Sequence, residues 1–322
     1  MTPALPGAPA RFWLGTHQPG WLARAGVPLF VSDVRLRVYR HLPVAAAPWA
    51  LDSGGFTELQ RFGRWTTGPA GYADRVRRYR DAIGHLSWAA PQDWMCEPIV
   101  INGGRAGRLR FAGTHLSVAE HQRRTVASYL ELRGLAPDLP FIPVLQGYTC
   151  QEYERCADLY AAAGVDLAAE PLVGLGSVCR RQGTAEACQI ITALHARGIT
   201  RLHGFGVKIL GLARYGHLLA SADSLAWSED ARRRGHPMPG CPPHRPGCPP
   251  RCRARRSQNR PASALGGVAP RTRPALPTLH RADARRSPSR LQAGPGQDPL
   301  PTRSQNRTSG SGRQAQRSRL GL

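Results

Sequence analysis

The chain has 322 residues and a formal net charge of +23, from 44 Lys and Arg against 21 Asp and Glu. Residues 251–322 carry sixteen Arg, only the two acids Asp283 and Asp298, and no Phe, Trp or Tyr, so that segment cannot build a core. The remaining +9 falls on residues 1–250, a length that suits one α/β barrel, and the lack of any run of eighteen apolar residues excludes a membrane-spanning helix.

Residues 1–10 read as a flexible lead-in without the charged and apolar blocks of a signal peptide, so the expected location is the cytoplasm. Eight short apolar runs follow, at 12–15, 29–31, 49–51, 86–89, 141–145, 172–174, 202–205 and 218–222, each ending in polar or glycine-rich turns. Between the fourth and fifth, Ser117-Val118-Ala119-Glu120 fits a capping box; Val126, Tyr129, Leu130 and Leu132 then follow one helical face, and Gly134 is placed to stop it. Between the fifth and sixth, Thr149-Cys150-Gln151-Glu152 starts a helix whose buried side is Tyr153, Cys156, Ala157, Tyr160 and Ala161, with Gly164 as its end. Another helix starts after Thr184 and stops at Gly198. Strand–helix alternation implies a parallel sheet, and eight strands imply closure into a (β/α)8 TIM barrel over residues 11–235. An open doubly wound sheet is the alternative, although no glycine-rich dinucleotide fingerprint occurs.

In such a barrel, chemistry sits at the C-terminal ends of the strands. The residues there are His17, Asp33, Asp52, Asp93, Gln146, the turn Gly174, Leu175 and Gly176, His203 with Lys208, and Asp223. An Asp at this place serves equally well as a helix cap or turn residue, which is the competing account of Asp33, and a strand-end His is more often structural. Asp52 and Asp223 stand apart because two carboxylates facing one pocket suit chemistry at a glycosidic carbon, one attacking and one moving protons. The small residues Ser53, Gly54 and Gly55 beside Asp52 let a ligand approach closely.

Asp52-Ser53-Gly54-Gly55-Phe56, Gln92-Asp93, Leu145-Gln146-Gly147, Gly174-Leu175-Gly176 and Asp223 occur in an order that resembles the tRNA-guanine transglycosylase superfamily. The flanking Trp13-Leu14-Gly15-Thr16-His17, Trp88-Ala89-Ala90-Pro91-Gln92-Asp93-Trp94-Met95 and His203-Gly204-Phe205-Gly206 are similar to its DNA-directed branch, the deoxypurine in DNA protein A family. The resemblance covers about residues 11–252. It implies a pentosyltransferase that replaces guanine in nucleic acid, DNA rather than tRNA, with a 7-deazaguanine base. Asp223 would be the nucleophile and Asp52 the proton-handling carboxylate, while Asp93, Gln146, Gly174 and Leu175 would hold the base. The alternatives are an inactive nucleic-acid-binding homologue, a tRNA-directed queuine-type enzyme, or a barrel hydrolase of another glycoside.

A polyanionic partner also fits the basic surplus of the folded part, with Arg123, Arg124, Arg180, Arg181 and Lys208 as phosphate contacts. A duplex hides the sugar carbon, so the target must be flipped out or single-stranded. Five cysteines (Cys96, Cys150, Cys156, Cys179, Cys188) read as reduced, buried thiols. In residues 236–252, Cys241, His244, Cys248 and Cys252 offer four ligands for a structural zinc, although the His lies inside the cluster rather than beyond it, and chance clustering among prolines competes. From 253 onward the expectation is a disordered Arg/Pro-rich tail in which Arg256-Ser-Gln-Asn-Arg260 is echoed at Arg303-Ser-Gln-Asn-Arg307. One Lys against 43 Arg points to a GC-rich gene and a frameshifted tail, with a basic nucleic-acid-binding arm as the competing reading.

Overall fold

The computed structural model describes residues 10–226. They lie within the first of two compact units, Met1–Ala269, while the second, Pro270–Leu322, falls outside the described residues. The cluster Cys241, His244, Cys248 and Cys252 and the tail from 253 also lie outside them, as does nearly all of the lead-in.

Eight parallel strands form one curled sheet: β1 (Arg11–Thr16), β2 (Leu29–Ser32), β3 (Trp49–Asp52), β4 (Leu86–Ala89), and, beyond a small hairpin of β5 (Gly104–Ala106) and β6 (Leu109–Phe111), β7 (Val144–Leu145), β8 (Val173–Leu175), β9 (Leu202–Gly204) and β10 (Ser221–Ser224). The order is β4-β3-β2-β1-β10-β9-β8-β7, so each strand lies beside its neighbours in sequence and β1 joins β10. The two edges approach each other: a parallel bridge pairs Ala89 with Phe141, with Ala89 N donating to Pro140 O (2.9 Å) and Ile142 N to Ala89 O (3.1 Å).

Strand alternation sorts the side chains into two layers. Trp13, Phe30, Ala50 and Trp88 gather with Ile142 and Leu172 in a small cluster on one face of the curl. Their neighbours Leu14, Leu29, Val31, Trp49, Leu51 and Ala89 pack into a larger cluster with residues from the helices. Those helices are α1 (Asp33–Leu36), α2 (Gly55–Phe62), α3 (Pro69–Ile83), α4 (Pro98–Asn102), α5 (Val118–Leu135), α6 (Cys150–Ala162), α7 (Ala185–Ala196) and α8 (Ile209–Tyr215). Tyr72, Val76 and Tyr79 of α3, Tyr129 of α5, Tyr153 and Tyr160 of α6, and Ile190 and Leu194 of α7 supply most of that contact. None of these helices is long and apolar enough to cross a membrane.

Local signals hold unevenly. Thr149 and Glu152 complete their capping box, and Gly164 and Gly198 take positive φ just past α6 and α7. At α5 only half the box forms: Ser117 accepts from Glu120 N, but the Glu120 carboxylate turns to Arg123 and Arg124 instead. Gly134 lies inside α5, which runs one residue further to Leu135, and it does not take positive φ. Leu130 and Ala161 are exposed, each lying one position beyond the last tyrosine of the packed face. The fifth run contributes only Val144 and Leu145 to a strand, and the eighth shifts so that Leu218 closes a 3-10 turn before β10. The five cysteines are unpaired as expected; Cys96 and Cys156 are buried, while Cys150, Cys179 and Cys188 are half-buried.

Candidate active site

Because all eight strands run the same way, their C-terminal ends share one rim. Asp52 is the last residue of β3, Gln146 follows β7 directly, Gly174 and Leu175 lie in β8, and Asp223 is in β10. The chain must turn sharply after Asp52 to start α2. Gly54 makes this turn at φ +82°, with its N–H donating to Asp52 Oδ1 (3.0 Å), and a Cβ there would lie 2.6 Å from Val34 Cγ2. The carboxylate therefore caps its own turn while keeping a half-buried position at the rim.

Asp52 lies within electrostatic reach of both Asp223 and Asp93. Loss of hydration pushes the Asp52 carboxyl above its ordinary range; the Gly54 N–H and the Ser32 side chain pull it back, while the charges of Asp223 and Asp33 push further. Burial drives Asp93 up to about 7 against the Gln146 hydrogen bond, and the charges of Asp52 and Glu97 add to the rise. Asp223 is 6% exposed, and its Oδ1 accepts from Gly206 N (2.8 Å). His203 Nε2 lies 3.4 Å from the same oxygen without hydrogen-bond alignment, and its Nδ1 pairs with Ser221 Oγ (2.8 Å). The ring is held between Trp88 and Phe205, with centroids at 4.6 and 4.7 Å.

Asp93, beyond β4, is tied to the ends of the strands on either side of it, β3 and β7. Ser53 Oγ donates to Asp93 Oδ1 (3.4 Å), and Gln146 Nε2 donates to Asp93 Oδ2. Gly176 packs so closely on the Gln146 amide that a Cβ there would overlap it. The structure thus brings together Asp52, Asp93, Gln146, the turn at Gly176 and Asp223. Leu175 turns its side chain into the core; its carbonyl accepts from Phe205 N (3.2 Å), and Gly174 N donates to Pro143 O (2.8 Å).

Two further residues at this site lie outside the pattern of apolar runs that marks the strand ends. Ser177, at φ +55°, places its Oγ 2.7 Å from Gln146 Oε1, 3.0 Å from Glu97 Oε2 and 2.8 Å from the donating Cys96 N. Glu97 precedes α4 in what reads as an ordinary loop, yet it is 9% exposed, and burial raises its carboxyl while Ser177, Arg180 and Arg181 pull it down. Its place four residues after Asp93 and directly before Pro98 was the available hint.

Asp33 is turned away from this group. Its two oxygens take Arg75 Nε and Nη2 (2.8 and 2.9 Å), and Tyr79 donates to Oδ1 (2.8 Å), which ties α3 to the start of α1, directly after β2. His17 is exposed beyond β1.

The basic residues divide by what they touch. Arg123 and Arg124 share Glu120, and Arg124 also stacks over Trp94 at 4.7 Å. Arg181 is packed inward, 3.0 Å from Glu186 and over the Tyr148 ring at 4.3 Å. Arg180 is exposed and lies over both Phe56 and Phe111, at 5.6 and 5.2 Å, linking the turn after β8 to α2 and the hairpin. Lys208 is exposed at the start of α8. On the hairpin, Arg105 and Arg110 are exposed and directly opposite each other across the strands, and Arg108 sits in the turn. No group of three or more potential metal ligands occurs among the described residues.

No curated protein matches the chain. A family model described as DeoxyPurine in DNA protein A matches residues 9–260, from before β1 to beyond Cys252, and takes in the whole rim of carboxylates. The chain belongs to the deoxypurine in DNA protein A family, a tRNA-guanine transglycosylase-like family of transferases.

Proposed function

We propose that this protein replaces guanine in DNA with a 7-deazaguanine base through a covalent aspartyl-glycosyl intermediate. Family membership supports DNA as the polymer and base exchange as the reaction. The observation that carries the catalytic detail is that Asp52, at the end of β3, feels the charge of Asp223 across the rim and itself raises Asp93. We read the curled sheet as a (β/α)8 barrel closed by the Ala89–Phe141 bridge, which makes that rim the wall of a cup.

Asp223, held through Oδ1 by Gly206, attacks C1′ of a flipped-out nucleotide and expels guanine. Asp52 has its protonated form favoured by burial and by the charge of Asp223, and it supplies the proton that guanine needs to leave. Esterification then removes the Asp223 charge, so Asp52 becomes a stronger acid and returns to carboxylate. That carboxylate takes the proton of the incoming base as it displaces Asp223. Two inversions retain the configuration at C1′. Asp93 accepts N–H groups from the base edge, Gln146 donates to its carbonyl oxygen, and the Gly174 and Leu175 backbone lies beside the ring. Arg180 and Lys208 hold phosphates, with Arg181 behind them, and the incoming nucleotide strand lies along the rim. The thiolate and imidazole donors Cys241, His244, Cys248 and Cys252 suit a tetrahedral structural zinc, for which metal analysis of the purified chain is the test.

Incubation with guanine-containing DNA followed by denaturing mass spectrometry tests the mechanism. The expected result is a glycosyl adduct on the Asp223 peptide and exchange of labelled base, both absent in Asp223→Ala. Exchange that survives Asp223→Ala would overturn the assignment.

A further inference from the structure

The Ser177 hydroxyl has one proton and three neighbours, and counting protons assigns a state to each of them. Cys96 N–H already donates to Oγ at 2.8 Å. Of the other two neighbours, Gln146 Oε1 (2.7 Å) is an acceptor only, as long as Gln146 Nε2 faces the Asp93 carboxylate. The Ser177 proton must then go to Gln146, and the contact from Oγ to Glu97 Oε2 (3.0 Å) needs a proton brought by Glu97 itself. Reversing the amide reverses every bond: Ser177 donates to a Glu97 carboxylate, Nε2 donates to Ser177, and Oε1 faces an Asp93 that must be protonated. An intermediate arrangement leaves two lone pairs opposed in a buried site.

We infer that Glu97 acts as a neutral acid which, through Ser177, fixes the Gln146 amide with its N–H toward the base site, and so sets the choice of a 6-oxo over a 6-amino purine edge. This deepens the base-exchange reading above and rests on it. In the first state the pocket presents the Asp93 carboxylate and a Gln146 donor, complementary to the N–H and carbonyl edge of guanine. In the second state it presents the Gln146 carbonyl, which fits an amino group. Between the two states Glu97 loses one proton and Asp93 gains one; the amide carries none, so the exchange runs through solvent at the rim.

Around Glu97 lie Ser177, Arg180, Arg181, Asp93, Cys96, Tyr153 and Cys179, and around Asp93 lie Asp52, Ser53, Gln146, Glu97, Cys96 and Tyr160. The arginines pull Glu97 toward its charged form, while burial, the larger influence, opposes them. Glu97 is thus a positioning residue. It touches Gln146 only through Ser177.

Two measurements on the full chain test this. Infrared difference spectra with 13C-labelled glutamate should show a protonated-carboxyl band at neutral pH that disappears in Glu97→Gln. Calorimetric binding of free guanine and of 2,6-diaminopurine should show guanine preferred by the wild type, the preference kept in Glu97→Gln, whose amide donates to Ser177, and lowered by about tenfold or more in Ser177→Ala. A packing role for Ser177 would weaken both bases alike. Absence of the glutamate band, or equal weakening of both bases, overturns the inference while leaving the base pocket in place. A wild-type chain that binds neither base overturns the base-pocket reading itself.

Discussion

Asp93 combines a carboxyl pushed up to about 7 with a direct route to a stability measurement. Its pKa rises from 3.8 to about 7, so between those values the folded chain keeps a proton that the unfolded chain has lost. Stability therefore falls as pH rises through this window and levels off above it. Asp93→Asn keeps an acceptor for Gln146 and removes the titration. Thermal melts should show it matching wild type near pH 4 and exceeding it at pH 8, by a difference on the order of 3 kcal/mol, with base exchange lost. Asp52→Asn should leave the fold intact and slow exchange by about 10² to 10⁴-fold, read as turnover of labelled guanine. Asp52, Asp93, Gln146 and Asp223 are legible in the sequence because each follows an apolar run, and a strand end is a place that a local pattern can mark. Glu97 and Ser177 are not legible, since their burial comes from the meeting of the loops after β4 and β8, which are 80 residues apart.

At the scale of elements, the turn from β3 into α2 and the inserted hairpin carry distinct expectations. Gly54→Ala places a side chain at φ +82° against Val34, so it should cost about 2 kcal/mol or more in denaturant melts and disturb the Asp52 cap. The hairpin is the element that the sequence pattern does not announce, because three-residue strands around Gly107 and Arg108 are too short for alternation to register. Its inner residue Phe111 packs with Leu59, Trp94 and Val100, while Arg105 and Arg110 oppose each other outside, neither in an ion pair with a carboxylate among the described residues. Like charges directly opposite across a ladder are unfavourable, and a phosphate between them relieves the repulsion. The double variant Arg105→Ala/Arg110→Ala should weaken DNA binding and reduce the slope of log affinity against log salt by about 1. An unchanged slope would place the DNA elsewhere. The capping boxes show the same division: Thr149 and Glu152 close theirs, whereas Glu120 is drawn away by Arg123 and Arg124, a competition between side chains that spacing does not reveal.

For the whole molecule, the surplus of cations makes salt the first experimental variable. Affinity for duplex or single-stranded DNA should fall linearly in log–log form as salt rises, by several decades if the rim engages six or more phosphates, and filter binding across a salt series measures it. The eight-strand parallel order, the helices packed outside the sheet and the identity of the four strand-end polar residues all follow from the sequence by itself, because alternation of apolar runs and helical faces is a local property that burial imposes on any parallel sheet. Only the tertiary structure decided that Asp33 belongs to an ion pair with Arg75, that Arg181 packs inward while Arg180 stays exposed, and that Glu97 reaches Gln146 through Ser177. The reason is physical: which carboxylate keeps its water and which finds a guanidinium or a hydroxyl depends on contacts between segments distant in the chain, and no spacing along one segment encodes them.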